Sequence, residues 1–333
     1  MPNSRGNLRI EKSLNNSGKL FNAGLIPFLE EDRYIVKPIN LDGDAPKQFI
    51  KAYFYEPDST VRRSSSNSWH SYIAKTAEKW YPHESVIEYM INRIGQVLGL
   101  NMNGIRIVQA NKQIRFLSQF FLNRDERLIH GAEICGEHLG DLLMAEEIAV
   151  DKKTSRELFT FEFIRDAIRS VFPENFEEIT VDLVKMIAFD AIVGNNDRHF
   201  YNWGVIGTTK KINKLPTFAP LYDSARGLFW NYSDKNLRKL YEVGGNKVAK
   251  YIELACPRIS IENNAKANHF ELIDFIARIN DEYKQIIKSL SEQENEHRVL
   301  KMLEKEFFPM FIPERTLLIS QVLKFRFEII RRI

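Results

Sequence analysis

Gly194-Asn195-Asn196-Asp197-Arg198-His199-Phe200-Tyr201-Asn202-Trp203-Gly204 packs more polar, reactive side chains between apolar flanks than any other part of the chain. Upstream, residues 181–193 are mostly apolar, a run too long for a typical strand that suits a buried helix. Gly194 and the two asparagines end that helix, as Gly and Asn do at helix C-termini. Downstream, Trp203-Gly204-Val205-Ile206 reads as a short strand. Asp197 and Asn202 therefore sit on a loop held between a core helix and a core strand, a rigid scaffold for chemistry. Two short strands, 203–207 and 218–221, joined by the basic turn Lys210-Lys211-Ile212-Asn213-Lys214, carry the chain on to Tyr222-Asp223-Ser224.

Composition limits what this loop can serve. The 333 residues exceed the usual size of one domain and predict two lobes. A hydrophobic content of 44% supports sizeable cores. The 47 basic and 44 acidic side chains leave a net charge of +3, too even for nucleic acid as the main partner. The two cysteines, Cys135 and Cys256, suggest neither a disulfide framework nor a zinc cluster and fit a reducing cytoplasm. No apolar run is long enough for a membrane helix, and the polar start of the chain shows no secretory signal.

Before the loop, the pattern changes once. Residues 26–29, 34–36, 49–55 and 72–75 read as strands, with Glu30-Glu31-Asp32 and Asp42-Gly43-Asp44 as turns. An amphipathic helix over 83–99 follows, its apolar positions Val86, Ile87, Met90, Ile91, Ile94, Val97 and Leu98 recurring every three or four residues. Strands at 105–108 and 114–121 form a hairpin around Asn111-Lys112. From 123 onward the chain is helical, over 133–149, 154–172, 181–193 and most of the stretch beyond 262. The predicted fold is α+β and two-lobed: a β-rich N-lobe over 1–122 and a mostly helical C-lobe over 123–333, which holds a catalytic loop at 194–204 and a metal-binding segment at 218–227.

Asp197, Asn202 and Asp223 make a chemically coherent set. A carboxylate to orient or deprotonate a hydroxyl is followed by an amide oxygen and a second carboxylate, the hard ligands Mg²⁺ prefers. Protein kinases order their site this way, with a strand lysine and a helical glutamate upstream. Lys75 ends a strand and Glu88 lies on the next helix. Lys79, Lys37 and Lys51 compete for the lysine role. Glu88 falls roughly 130° from the centre of its helix's apolar face and Glu84 about 90°, so helical geometry leaves both open as the partner. Arg198 and His199 are read as holding the loop's shape, and Trp203 as core. Serine-hydrolase elbows, H-E-x-x-H, Cys-x-x-Cys and Walker motifs are absent from the sequence.

Asn196-Asp197-Arg198-His199-x-x-Asn202-x-Gly204, followed by Phe218-Ala219-Pro220-Leu221-Tyr222-Asp223-Ser224, closely resembles the HipA-like serine/threonine kinases. The likeness is sharp over 190–227 and looser over 72–100. The resemblance implies an ATP- and Mg²⁺-dependent kinase acting on a protein Ser/Thr hydroxyl, with Asp197 as catalytic base and Asn202 and Asp223 as metal ligands. It implies Lys75 on the α/β-phosphates, Glu88 as its partner, and backbone hinge contacts to adenine near Gln119, Phe120 and Phe121. It further implies a toxin with an antitoxin partner or a delivered effector, cytoplasmic or carried into a host cell. The polar segment 57–71 takes the phosphate-loop position by order along the chain, with serines where a glycine-rich loop would have glycines. Its Ser64, Ser65, Ser66 and Ser68 are candidate autophosphorylation sites beside Arg62 and Arg63. Two alternatives stay open. The D-R-H-x-x-N core also occurs in lipid kinases, and Leu228-Phe229-Trp230 with Lys235, Arg238 and Lys239 would suit a lipid-facing segment. The glycine-free phosphate segment would suit a nucleotide-binding pseudokinase.

Overall fold

The computed structural model describes residues 6–41, 46–57, 59–210 and 214–333. The turn expected at Asp42-Gly43-Asp44 and the centre of the basic turn, Lys211-Ile212-Asn213, lie outside the described residues.

A short β1 (Asn15–Asn16) pairs in parallel with β5 (Trp80–Tyr81). The main sheet has the order β2 (Tyr34–Lys37), β3 (Lys47–Ala52), β4 (His70–Lys75), β7 (Gln113–Gln119), β6 (Ile105–Ala110), with every pair antiparallel. The β6–β7 turn puts Asn111 and Lys112 at φ 42° and 62°, as a two-residue hairpin turn demands. One sheet face covers its own small core, including Leu8, Tyr34, Ile50, Tyr72 and Leu117. Against the other lies α1 (His83–Val97), whose apolar stripe joins a second, larger core running through the helices.

After β7 come β8 (Glu126–His130), α2 (Gly131–Leu139), α3 (Leu142–Val150), α4 (Lys152–Leu158), α5 (Phe161–Val171) and α6 (Phe176–Val193). Next are β9 (Gly204–Thr208) and β10 (Thr217–Phe218), then α7 (Asp234–Val243), α8 (Gly245–Glu253), α9 (His269–Ile279), α10 (Asp281–Leu290), α11 (Gln293–Glu306) and α12 (Pro313–Arg331). The α+β, two-lobed class holds, with several local corrections. Residues 26–29 form no strand; only Phe28 bridges Gln109. The helix expected over 133–149 breaks where Gly140 turns left-handed (φ 70°) and Asp141 caps a new helix by accepting from the Met144 amide. The helix expected over 154–172 breaks before Thr160, which caps α5. β8 was hidden by its mixed composition, and it pairs β9 from Glu126↔Thr208 to His130↔Gly204.

The register decides which loop reaches the lysine. Lys47 pairs with Lys75, and Ala52 with His70. The start of β3, at Lys47, therefore lies at the Lys75 end of the sheet. The β3–β4 connection, 53–69, arrives at the His70 end, about 17 Å away at about 3.3 Å per residue. The segment 57–71 thus does not take the phosphate-loop position its order suggested: in an antiparallel pair the loop before a strand lies at that strand's beginning, and Lys75 ends its strand. The segment folds on itself instead. Ser68 Oγ accepts from the Arg62 amide (3.1 Å) and donates to the Ser65 carbonyl (2.8 Å). The Trp69 indole donates to the Arg62 carbonyl (3.0 Å), and Arg63 pairs with Asp32 at 2.5 Å. Ser64, Ser65 and Ser68 remain exposed.

Candidate active site

The polar loop is built from the end of α6. Gly194 is left-handed (φ 68°), and its amide closes the helix on the Asp190 carbonyl. A Cβ there would come within 2.9 Å of the Arg326 guanidinium. Buried Arg326 donates to the carbonyls of Ala191 (2.7 Å) and Ile252 (3.0 Å), satisfying the C-terminal ends of α6 and α8; burial brings its pKa down to about 10. Arg198 is the hub of the loop. It pairs with both Asp190 oxygens (2.8 and 2.9 Å) and donates to the carbonyls of Asn202 (3.0 Å) and Tyr222 (2.7 Å) and to Ser224 Oγ (2.7 Å). Burial alone would depress this guanidinium, but Asp190 outweighs it and raises the pKa. One side chain thus fixes 197–202 against 222–224. Trp203 stacks on Phe218 in the core.

Two tight turns shape the loop: the His199 amide donates to the Asp197 carbonyl and the Asn202 amide to the His199 carbonyl, each at 2.8 Å. The Asn202 side-chain amide donates to the Asp197 carbonyl (3.1 Å), which commits Nδ2 and leaves Oδ1 as its ligand atom. Asp197 is gripped by two cations. Arg226 Nε lies 3.0 Å from Oδ2, and Arg258 Nη2 donates to Oδ1 at 2.9 Å. His199 accepts the Tyr201 amide at Nδ1 (3.3 Å). Its burial lowers the pKa against the pull of Asp197 and Asp223.

Asp223 faces the loop from a left-handed backbone position (φ 54°), one that Asp tolerates better than most residues. Lys75 bridges the carboxylates of Asp223 and Glu88, with 3.3 Å to Glu88. Burial opposes the Lys75 charge, but Asp223 and Glu88 raise its pKa. Burial also opposes the Asp223 charge, but Lys75, His199 and Lys47 lower its pKa. Glu88, only 8% exposed and the more distant of the two carboxylates, is pushed by burial up to about 7 despite Lys75. Glu84 is engaged elsewhere, accepting from the amides of Lys79 and Trp80 (2.9 Å each). The helical-wheel argument against Glu88 assumed a solvated back to α1. That back is covered: Glu88 turns to Lys75 of β4 and lines the cleft, while farther round the helix Arg93 pairs with Glu306 of α11.

A cleft of about 530 Å³ between sheet and helices is lined by Lys75, Glu88, Gln119, Phe120, Phe121, Asp197, Asn202 and Asp223 together. That volume suits a small-molecule ligand. At its edge the Gln119 amide is engaged by the Gly104 carbonyl (2.8 Å) and the Phe120 amide by the Ser71 carbonyl (2.9 Å). The Phe120 carbonyl and the Phe121 main chain are therefore the groups of this expected hinge left to meet a ligand. Ser64, Ser65, Ser66 and Ser68 do not line the cleft. Lys47, Arg226 and Arg258 were missed from sequence. Lys47 was legible only as the strand residue after a glycine-containing turn, and Arg226 lay three residues past Asp223. Arg258 reaches Asp197 across 61 residues and has no local signal. Asn202 Oδ1 and the Asp223 carboxylate are hard oxygen donors and fit Mg²⁺, which takes few protein ligands when phosphates complete its shell. Among the described residues no group of three or more His, Cys, Asp and Glu forms a metal cluster, and no helix is long and apolar enough to cross a membrane.

Comparison with known proteins agrees with this architecture. The HipA-like C-terminal domain family matches residues 39–297. No curated protein matches the chain. Among solved structures, the Helicobacter pylori proinflammatory kinase CtkA superposes with a TM-score of 0.68 at 16% identity, covering 92% of this chain and 96% of that one. HipA from the Shewanella oneidensis MR-1 toxin–antitoxin complex with HipB and operator DNA superposes with a TM-score of 0.45 at 13% identity, covering 78% of this chain and 58% of that one.

Proposed function

The chain belongs to the HipA-like C-terminal domain family, and from that premise we propose that it is an ATP- and Mg²⁺-dependent serine/threonine protein kinase. The observation that carries this is the convergence, in one cleft, of Asp197, Asn202, Asp223 and the Lys75–Glu88 pair from four separate segments. Asp197 accepts the proton of the acceptor hydroxyl. Lys75 binds phosphate oxygens of the nucleotide, and Glu88 holds it in place. Asn202 and Asp223 hold Mg²⁺, which when bound neutralises phosphate charge. Arg198 acts through the loop and touches no substrate.

Two observations weigh against the alternatives. Of the segment offered as lipid-facing, Leu228 and Phe229 are fully buried, while Trp230 is half-buried and Lys235, Arg238 and Lys239 are exposed. The glycine-free segment that suggested a pseudokinase stands at the far end of β4 from Lys75. An antitoxin-controlled toxin and a delivered effector would both act through this phosphotransfer.

Radiolabelled ATP with wild type and Asp197→Ala, offered bacterial and host lysate proteins together with phosphoinositide vesicles, tests the proposal. Labelled protein serine or threonine is expected with wild type only. Equal incorporation by both, or label confined to phosphoinositide vesicles, would overturn it.

A further inference from the structure

Asp197 is an unusual base, because both of its oxygens are held by guanidinium groups of this chain. The two arginines are not equivalent. Arg226 lines the cleft, is 35% exposed, and has its guanidinium head 5.0 Å over the Trp230 ring, which holds that head at the cleft wall beside Asp197. Arg258 is 17% exposed, does not line the cleft, and approaches Asp197 from the chain between α8 and α9. Around it stand Lys152 and Arg156, so the far side of Asp197 is basic as well. An arriving phosphoryl group meets Arg226 first, and a guanidinium head matches phosphate oxygens better than any other side chain.

We propose that Arg226 is the residue that contacts the transferred phosphoryl group, reaching it by exchange from Asp197, while Arg258 stays on Asp197 as a positioning residue. The inference rests on the phosphotransfer reading above. In the empty cleft, Arg226 balances the charge of Asp197. When the nucleotide arrives, Arg226 passes to the γ-phosphoryl oxygens and Asp197 Oδ2 is released for the acceptor hydroxyl. The hydroxyl oxygen then bonds to the γ-phosphorus as the bond from phosphorus to the bridging oxygen breaks. ADP leaves with that electron pair, and the hydroxyl proton passes to Asp197. Arg226 thereby couples arrival of the phosphoryl group to release of the base. Without the exchange, Asp197 would keep both oxygens on cations and the hydroxyl would compete with Arg226 for one of them.

The test is equilibrium binding, by titration calorimetry with Mg²⁺, of ADP and of a β,γ-imido ATP analogue to wild type, Arg226→Ala, Arg226→Lys and Arg258→Gln. Wild type is expected to favour the analogue over ADP. In Arg226→Ala that preference falls about 10- to 100-fold, the scale of a charge-assisted hydrogen bond, while ADP affinity stays within about twofold. Arg226→Lys keeps the charge and part of the preference, which separates loss of the contact from loss of the fold. Arg258→Gln keeps the full preference but lowers kcat and shifts the pH–rate profile. Wild-type preference retained in Arg226→Ala overturns the assignment while leaving the kinase reading intact. Wild type binding neither nucleotide overturns the kinase reading and this inference with it.

Discussion

Replacing Lys75 with Met probes the buried charge network with no reference to catalysis. Lys75 is 16% exposed and Glu88 8%, so the substitution strands Glu88 without its cation in a site that water barely reaches. Breaking a buried pair from one side typically costs about 3–5 kcal/mol. At about 2 °C per kcal/mol for a chain of this size, the melting temperature should fall by about 6–10 °C. The loss should depend on pH in a direction the geometry dictates. Glu88 titrates at about 7 in the folded protein, against an ordinary value of 4.5. A carboxyl whose folded pKa is raised contributes stability that is full below its unfolded value and is lost as pH rises through its folded value. In wild type that loss runs between about pH 4.5 and 7. Without Lys75, which lowers the Glu88 pKa, the loss extends above 7 at about 1.4 kcal/mol per unit. The deficit of Lys75→Met relative to wild type should therefore be smaller at pH 5 than at pH 8. Adding Glu88→Gln removes the stranded charge, so the double variant should be more stable at pH 8 than Lys75→Met alone. Urea and thermal denaturation of nucleotide-free protein at pH 5, 6, 7 and 8 measures this. A deficit flat across that range, or a double variant no more stable than the single, would refute the reasoning.

Two further outcomes follow from the same contacts. Arg198→Lys should be destabilised by about 3 kcal/mol or more in denaturant melts, because an ammonium cannot span both Asp190 oxygens and still reach two carbonyls; stability within about 0.5 kcal/mol of wild type would deny Arg198 its hub role. Any phosphate on Ser64, Ser65, Ser66 or Ser68 should come from a second molecule, because their loop stands at the far end of β4 from Lys75. Peptide mapping should find wild type labelling those serines on Asp197→Ala added in trans, with a rate that rises with the square of protein concentration. A concentration-independent rate would contradict the strand register.

What could be read in advance divides along a physical line. The loop 194–204 was legible because its pattern is local: a helix-ending glycine, a carboxylate, and an amide five residues on. Lys75 and Asp223 were legible because strand ends and short hairpins are local as well. Glu88 was ambiguous because a helical wheel knows only one helix. Glu88 is buried because α1 turns it toward Lys75 of β4 and the cleft, a tertiary contact that no single-helix wheel contains. The serine segment was misplaced for a related reason. Sequence order says that it precedes the lysine strand, and only the antiparallel register says at which end of that strand it arrives. Arg258 illustrates the limit, since nothing in Cys256-Pro257-Arg258 marks it as a partner of Asp197.

The same long-range contacts bear on how the site is controlled. In α1, Arg93 is held by Glu306 at 3.0 and 2.9 Å, and Arg298 donates to the Val97 carbonyl at 2.8 Å. At its start, His83 Nδ1 lies 2.9 Å from Ser17 Oγ, and the Ser17 carbonyl accepts from the Asp234 amide at 2.8 Å. Arg315 in turn pairs with the Asp234 carboxylate at 3.0 Å, so both ends of α1 are fastened to the helical lobe. Moving Glu88 away from Lys75 would require breaking these contacts at once. What can change at low cost is which group each cation faces. Lys75 sits on Asp223 and Arg226 on Asp197, so the two carboxylates assigned to metal and base are each covered by a cation of the chain itself. Charge rearrangement, rather than helix movement, is the transition this architecture favours: on the proposed reading, phosphate oxygens would draw the cations off and release the two carboxylates that phosphotransfer would require.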